Sequence, residues 1–440
     1  MHYLIVLALI LGAMAAAPLP TEAARLWSSG CELQGDSPGN ATAALEFDNV
    51  QGTSADSSQI IASTKRSGLS SCASIRATTG WSSFYHEFLS TALPGPFYFR
   101  TYLYISTMPA EDAEIIVYEN ADDNRSALIL NSDGTLDIRS SDDSTILDSD
   151  ATVLTTGVWY RIEYKYDDNS TVQVRLDGSE ILSAAADGSN VQAIRLGLCA
   201  TGLVAGVACG GDFLTTGTLY FDDIAFNDST GSAQTSWPGA GSIVHMQPDG
   251  AGDTDNSTTT PNWWQQVDET TPDDSTSAAW LANDGDILDV NFESSANAGI
   301  DSYDTVTLVQ GGIREKADSA AIASWQLGIK SQAAGTLRFG TVTTHNDATY
   351  RTNGDTAPRN YTATAYVDPQ AGGAWTPSLL DTMQLRASTT DANPDVGITT
   401  LWALVEYIDG IAPAIAERMR IRLQGARIKV SGGRIRLQSN

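Results

Sequence analysis

The sequence predicts an all-β protein made of one β-sandwich, a second β-sandwich and a short β-repeat tail. Three observations carry that expectation. Apolar and polar residues alternate with period two through much of the chain. Turn signals separate the alternating runs, in a chain of 440 residues with 38 Gly and 15 Pro. Near the C-terminus a strand-like unit, Arg420-Ile-Arg-Leu-Gln424, recurs as Arg434-Ile-Arg-Leu-Gln438. The length suggests about three domains, and 42% apolar residues are enough to bury real cores.

At the N-terminus, Tyr3 to Ala17 is an apolar run of 15 residues. A membrane span needs roughly 20. Small residues follow, with cleavage positions after Ala15 and Ala23, so residues 1–23 read as a secretory signal peptide. The segment before the run holds His2 and neither Lys nor Arg. Export implies an extracellular or cell-surface protein. Its four cysteines, Cys31, Cys72, Cys199 and Cys209, then suggest two disulfides with three connectivities. Cys199 and Cys209 bracket a small-residue loop and make the favoured pair, which leaves Cys31–Cys72 by elimination.

From residue 25 to 230 short strands dominate. Phe97–Ile105 places Phe97, Phe99, Thr101, Leu103 and Ile105 on one face, against Tyr and Arg on the other. Trp159–Tyr166 and Thr171–Leu176 alternate likewise. Ser132-Asp-Gly134, Asp167–Ser170, Asp177-Gly178 and Asp187-Gly188 mark the turns. A Ser/Gly/Pro-rich boundary follows at 229–241. The second region, 237–409, carries strand-like runs at Ile287–Phe292, Thr305–Val309, Trp325–Ile329, Thr336–Phe339, Thr362–Val367 and Thr400–Tyr407. Ala317–Ala323 suits a helical turn. The tail, 411–440, has a third unit, Arg427-Ile-Lys-Val430, between its two repeats. Such a small meander lacks the apolar area to stand alone.

Four segments carry a family resemblance: Arg25–Gly30, Trp159–Glu163, Val174–Gly178 and Leu219–Phe226. Together they resemble a concanavalin A-like, laminin-G-type jelly roll over residues 25–230. Ser236-Trp-Pro-Gly239, Val267–Asp274 and Leu401–Tyr407 resemble a β-domain that accompanies such jelly rolls in phage-like sequences. The resemblance implies a structural or adhesive protein of a virion or cell surface. The signal peptide favours the cell surface, and the tail lies beyond the region of resemblance.

Catalytic patterns are missing. A laminarinase-like jelly roll would carry Glu-x-Asp-x-Glu on one strand, so that its carboxylates share a face. Glu111-Asp-Ala-Glu114 has the wrong spacing, and Asp222-Asp223 are adjacent. His-Glu-x-x-His and P-loop motifs are absent, so a non-enzymatic role is expected. Calcium wants several hard oxygens. Of five Asp-Asp pairs, Asp222 and Asp223 are the ligand candidates, because related sandwiches place such acids near a terminal strand. For glycans, exposed aromatic rings beside Asn, Asp or Gln are the pattern sought. Trp263 and Trp264, in Asn262–Gln266, and Trp81 near Tyr85 meet it, whereas Trp159, Trp325 and Trp402 lie within strands and are expected in cores. Sequons occur at Asn40, Asn124, Asn169, Asn227, Asn256 and Asn360.

Net charge is −28, which excludes a general nucleic-acid binder. The charge is divided unevenly: the tail carries +6 and the rest −34. A tail holding Arg420, Arg422, Arg427, Lys429, Arg434 and Arg436 is therefore suited to dock on an acidic body, its own or that of another copy. The leading expectation is a self-associating structural or adhesive protein. A calcium-assisted lectin is the alternative, and a secreted glycoside hydrolase comes third.

Overall fold

The computed structural model describes residues 24–33, 45–52, 58–80, 82–89, 92, 93, 95–120, 123–140, 145–186, 188, 190–200, 215–256, 263–272, 274, 279–318, 322–345, 348–353, 360–391, 395–410, 426–431 and 434–439. The chain packs as two units that are not continuous in sequence. One comprises residues up to 28, 48–58 and 74–239; the other comprises 29–47, 59–73 and 240 onward.

The first fifteen strands are short to medium in length. They are β1 (Arg25–Ser29), β2 (Asn49–Gly52), β3 (Ser58–Ile61), β4 (Ser71–Gly80) and β5 (Ser82–Glu87). Then come β6 (Phe97–Thr107), β7 (Ala113–Asn120), β8 (Asp123–Leu130), β9 (Leu136–Arg139) and β10 (Ile146–Asp150). The set closes with β11 (Trp159–Tyr166), β12 (Thr171–Leu176), β13 (Ser179–Ala185), β14 (Ala193–Ala200) and β15 (Thr215–Asn227). One sheet runs β13-β12-β11-β6-β15-β4-β3, with β1 on β15; the other runs β10-β9-β8-β7-β14-β5-β2. Register is antiparallel from β13 to β15 and from β10 to β2. Distant strands become neighbours, β6 beside β15 and β7 beside β14, which is the crossed antiparallel order of a jelly-roll-like sandwich.

The alternation of β6 buries Phe97, Phe99, Leu103 and Ile105 between the sheets. Phe88 stacks on Phe226 at 4.1 Å, and Tyr118 on β7 donates its hydroxyl to the carbonyl of Tyr164 on β11 at 2.8 Å. Each such ring contributes about 1.5–3 kcal/mol through burial. Asp177 and Gly178 form a two-residue hairpin turn with φ of 50° and 89°, a conformation that Gly adopts without strain. Trp159 differs from expectation. It starts β11 where the strand is only half-buried, and its ring lies 5.3 Å from that of Tyr104.

The second unit begins with β16 (Ser242–Met246), β17 (Pro248–Asp255), a 3-10 turn (Trp263–Gln266), β18 (Ala279–Leu281), β19 (Ile287–Phe292) and β20 (Thr305–Ala317). It continues with β21 (Ala323–Lys330), β22 (Arg338–Phe339), β23 (Thr343–His345), β24 (Arg351–Thr352) and β25 (Ala363–Ala365). A single helical turn, α1 (Pro377–Leu380), precedes β26 (Gln384–Thr389) and β27 (Val396–Ile408). One sheet is β16-β27-β20-β24, with β18 on β27 and β25 on β20; the other is β17-β19-β26-β21-β22, with β23 on β21. Val309, Ile313 and Val405 from the first meet Val290, Trp325, Leu327 and Leu385 from the second in one core. Trp402 is also fully buried, and its Nε1 donates to the Tyr361 hydroxyl at 3.1 Å. Ala317 and Ala323 are strand ends and not part of a helical turn; 319–321 lie outside the described residues.

Cys31 and Cys72 form a disulfide inside this second unit, across a sequence separation of 41. Cys209 and the Cys199 side chain lie outside the described residues. In the tail, β28 (Ala426–Ser431) and β29 (Arg434–Ser439) form an antiparallel hairpin. Arg420 and Arg422 lie outside the described residues. Among the described residues no helix is long and apolar enough to cross a membrane.

Candidate functional site

A cleft of about 680 Å³ opens in the second unit. Its walls come from three separate stretches: Lys65–Leu69 with Glu32, Val244–Asp249, and Glu293–Gly299. Thr270 and Tyr407 complete it. β16 sets the register of one wall, pairing His245 with Leu404 of β27. The chain then turns at Gln247, whose N–H donates to Glu293 Oε1 at 3.1 Å, while Glu293 N–H returns a bond to Gln247 O at 3.0 Å.

The opposite wall hangs on one carboxylate. Glu32, fully buried, accepts from Leu69 N–H at 2.9 Å and from His245 N–H at 2.7 Å. Gly68 sits between them with φ of 56°, where a Cβ would collide with that carboxylate. Arg66 braces the same loop by donating to Gly241 O at 3.2 Å and Ser242 Oγ at 3.0 Å. A second buried glutamate, Glu46, orients the segment after β1 that carries Glu32. It accepts from the N–H groups of Glu32 at 2.6 Å and Leu33 at 2.7 Å, and from Ser29 Oγ.

Two residues of the cleft wall carry buried side-chain polar atoms without a hydrogen bond, and the ring of one, His245, stacks on that of Trp402 at 5.9 Å. Both ring nitrogens of His245, a residue 2% exposed, are buried without a hydrogen bond, and so are both amide atoms of Gln247. An unmet buried polar atom costs about 1–3 kcal/mol, so such groups mark places where water or a ligand belongs. Burial holds the His245 pKa below its ordinary value, against a smaller opposing pull from Glu46, so the ring is neutral near pH 7. It offers one donor and one acceptor. Burial also raises the carboxyls of Asp249 and Glu293, and Asp249 pushes Glu293 further up. Lys65 and Arg66 line the same cleft as Asp249 and Glu293.

The aromatic residues expected to bind glycans lie elsewhere. Trp263 is 4% exposed and belongs to the core of the second unit, so it offers no stacking face. This corrects the expectation: the 3-10 turn rotates its ring inward, and Trp264 packs partly buried against the same core. Tyr85 is half-buried in the other unit beneath the Arg195 guanidinium, 5.9 Å from its ring centre. Burial and the charges of Glu119 and Glu87 raise its hydroxyl pKa. Trp81 lies outside the described residues.

Asp222 and Asp223 are both fully buried. A bulge between Asp222 and Ala225 breaks the strand alternation, with Asp223 at φ of 51°. Asp223 N–H donates to Asp222 Oδ1 at 2.8 Å, while Thr101 and Arg100 donate to the two backbone carbonyls. Among the described residues no group of three or more His, Cys, Asp or Glu is placed to hold a metal ion. Of the sequons, Asn169 and Asn256 are exposed and Asn360 is half-buried. Asn227 is fully buried, accepting from Arg25 Nε at 2.6 Å and donating to Ser236 O at 2.8 Å, so the folded protein cannot present it as an acceptor. Asn40 and the Asn124 side chain lie outside the described residues.

The sequence did not single out Glu32, Glu46 or Gln247, and counted His245 only to weigh a zinc site. No local motif marks them, because the cleft joins residues more than two hundred positions apart.

A second polar cluster lies on the β19–β26–β21 face. Asp253 accepts from Lys330 Nζ at 2.8 Å, from Gln384 Nε2 at 3.1 Å and from Ala334 N–H. Partial burial raises this carboxyl, but the hydrogen bonds outweigh it and bring the pKa from 3.8 down to about 2. A depressed carboxyl stabilises the fold fully above its unfolded pKa and loses that contribution as pH falls through the folded value. Acid titration should therefore show a stability loss between about pH 4 and pH 2 that Asp253→Asn removes, measured by denaturant midpoints at each pH.

No family model matches the chain, and no curated protein is similar to it. Solved structures do align. A cellulose-induced protein, Cip1, is 13% identical with a TM-score of 0.31, over 47% of this chain and 100% of its own. The galectin LEC-6 of Caenorhabditis elegans is 11% identical with a TM-score of 0.24, over 35% of this chain and 95% of its own. Trypanosoma rangeli sialidase is 8% identical with a TM-score of 0.27, over 41% of this chain; the alignment spans 27% of the sialidase. The description of this chain as two β-sandwiches rests on its own strand order and register.

Proposed function

We propose that this is an extracellular, non-enzymatic binding protein whose cleft takes an uncharged saccharide. The observation that supports this is the unmet hydrogen-bonding capacity of two residues of the cleft wall, His245 and Gln247. A neutral imidazole and an amide each offer donors and acceptors, which sugar hydroxyls match because each hydroxyl both donates and accepts. The lining mixes two cations, Lys65 and Arg66, with three carboxylates, Glu32, Asp249 and Glu293, so it presents no field of one sign to an ionic ligand. The volume is within the range of small-ligand sites.

The test is calorimetric titration with a panel of neutral oligosaccharides. Binding by the wild type, weakened about 10- to 100-fold in Gln247→Ala, is the expected result, since about 1–3 kcal/mol of hydrogen bonding is removed. No reducing ends should be released during incubation. Silence across the panel, or equal affinity for the variant, would overturn the reading.

A further inference from the structure

We propose a contact between copies: the β28–β29 hairpin of one molecule adds to the β10 edge of the first sandwich in another. The inference is independent of the saccharide reading.

The acceptor is an unusual edge. β10 ends its sheet, pairing there with β9. None of its five residues is fully buried: Ile146 is 53% exposed and Leu147 40%. Val153 and Val158, on the segment leading to β11, are 55% and 45% exposed. Edge strands in soluble proteins are commonly blunted by Lys or Pro, which prevents another strand from adding. From Ile146 to Val158 there is no Lys, Arg or Pro. The only charges are Asp148 and Asp150, two positions apart and both partly exposed; Asp148 accepts from Ser183 N–H on β13 and Asp150 from Thr152 N–H, each at 2.8 Å, which leaves lone pairs on both carboxylates for a cation.

The donor is complementary. Its register places Ile428 opposite Leu437 and Val430 opposite Ile435, alternating with Arg427 opposite Gln438 and Lys429 opposite Arg436. Two like charges directly across a strand pair destabilise it, and an isolated two-stranded hairpin is marginal in water. Both defects are relieved by a third strand that carries carboxylates at the same spacing. Arg434 and Arg436 are two positions apart, as are Asp148 and Asp150, and no acid follows Glu417. Strand addition would satisfy backbone groups along the edge while the charges set the register. Donor and acceptor are different surfaces, so the contact is heterologous and propagates head to tail.

Two full-length variants test it by sedimentation velocity across concentration and salt. Asp148→Lys/Asp150→Lys disables the edge, and Arg434→Ser/Arg436→Ser disables the hairpin. Wild type should associate, less so at high salt. Each variant alone should associate at least tenfold more weakly. Mixed, they should form a capped one-to-one dimer, because each retains the surface the other has lost. Should the edge pair fail to fold, Leu147→Lys in the same exposed strand replaces it. A wild type that is monomeric throughout, variants that associate like wild type, or a mixture that forms no dimer would each overturn the proposal.

Discussion

Replacing Asp289 with Ala should destabilise the second sandwich by about 3–5 kcal/mol, because it strands buried charge. Asp289 lies on β19 and is fully buried. Its carboxylate accepts a bidentate pair from Arg386 on β26, both bonds at 2.7 Å, and a third bond from Lys330 Nζ on β21 at 2.9 Å. Lys330 is 1% exposed and shares its remaining charge with Asp253. One carboxylate thus ties three adjacent strands and answers two cations. Without it, an ammonium and a guanidinium would face a low-dielectric interior with one carboxylate between them. Lys330→Met should be far milder. It removes a buried charge along with the need to solvate it, fills much of the same volume, and leaves the Arg386–Asp289 fork whole. Urea unfolding of both variants decides the matter: equal midpoint shifts would show that the network is not what holds these strands.

Loss of the Cys31–Cys72 disulfide should cost about 4 kcal/mol on the chain-entropy account of a 41-residue closure. The effect should reach the cleft as well. The disulfide holds the segment after β1 that carries Glu32, and Glu32 holds both Leu69 and His245. Glu46 clamps the same segment through its backbone N–H groups, so the loop keeps a second restraint when the cysteines are replaced. Cys31→Ser/Cys72→Ser should therefore lower the denaturation midpoint and weaken saccharide binding together, while Gln247→Ala weakens binding alone. Fluorescence-monitored unfolding and calorimetry on both variants separate the two effects. Unchanged stability in the double variant would show that the clamp suffices without the bridge.

Much of the fold was legible because strand formation is written locally. β11, β12 and β19 coincide with the runs Trp159–Tyr166, Thr171–Leu176 and Ile287–Phe292. Period-two alternation and two-residue turns depend only on neighbours in sequence, so reading them requires no knowledge of the fold. The repeat of the tail was legible for the same reason, and its last two units lie in the paired strands β28 and β29.

The candidate site was not legible in this way. Aromatic residues beside Asn and Gln marked Trp263, yet its ring fills the core, because exposure depends on which sheet covers a turn. Asp222 and Asp223 form a visible pair, but a bulge buries both, and bulges leave little trace in alternation. Asp253 has the same Asp-rich setting as the turn residues around it, and only partners far along the chain, Lys330, Ala334 and Gln384, make it distinctive.

By itself, then, the sequence determined the all-β class, the strands and turns, and the division of −28 into an acidic body and a +6 tail. These properties follow from composition and short-range periodicity. Tertiary structure alone decided that 29–47 and 59–73 pack with the second unit, that one disulfide and two buried glutamates shape a cleft there, and that His245 and Gln247 of its wall carry buried polar atoms without a hydrogen bond. The reason is that burial and hydrogen-bond satisfaction are properties of residues brought together across long loops, and no window of sequence contains both partners.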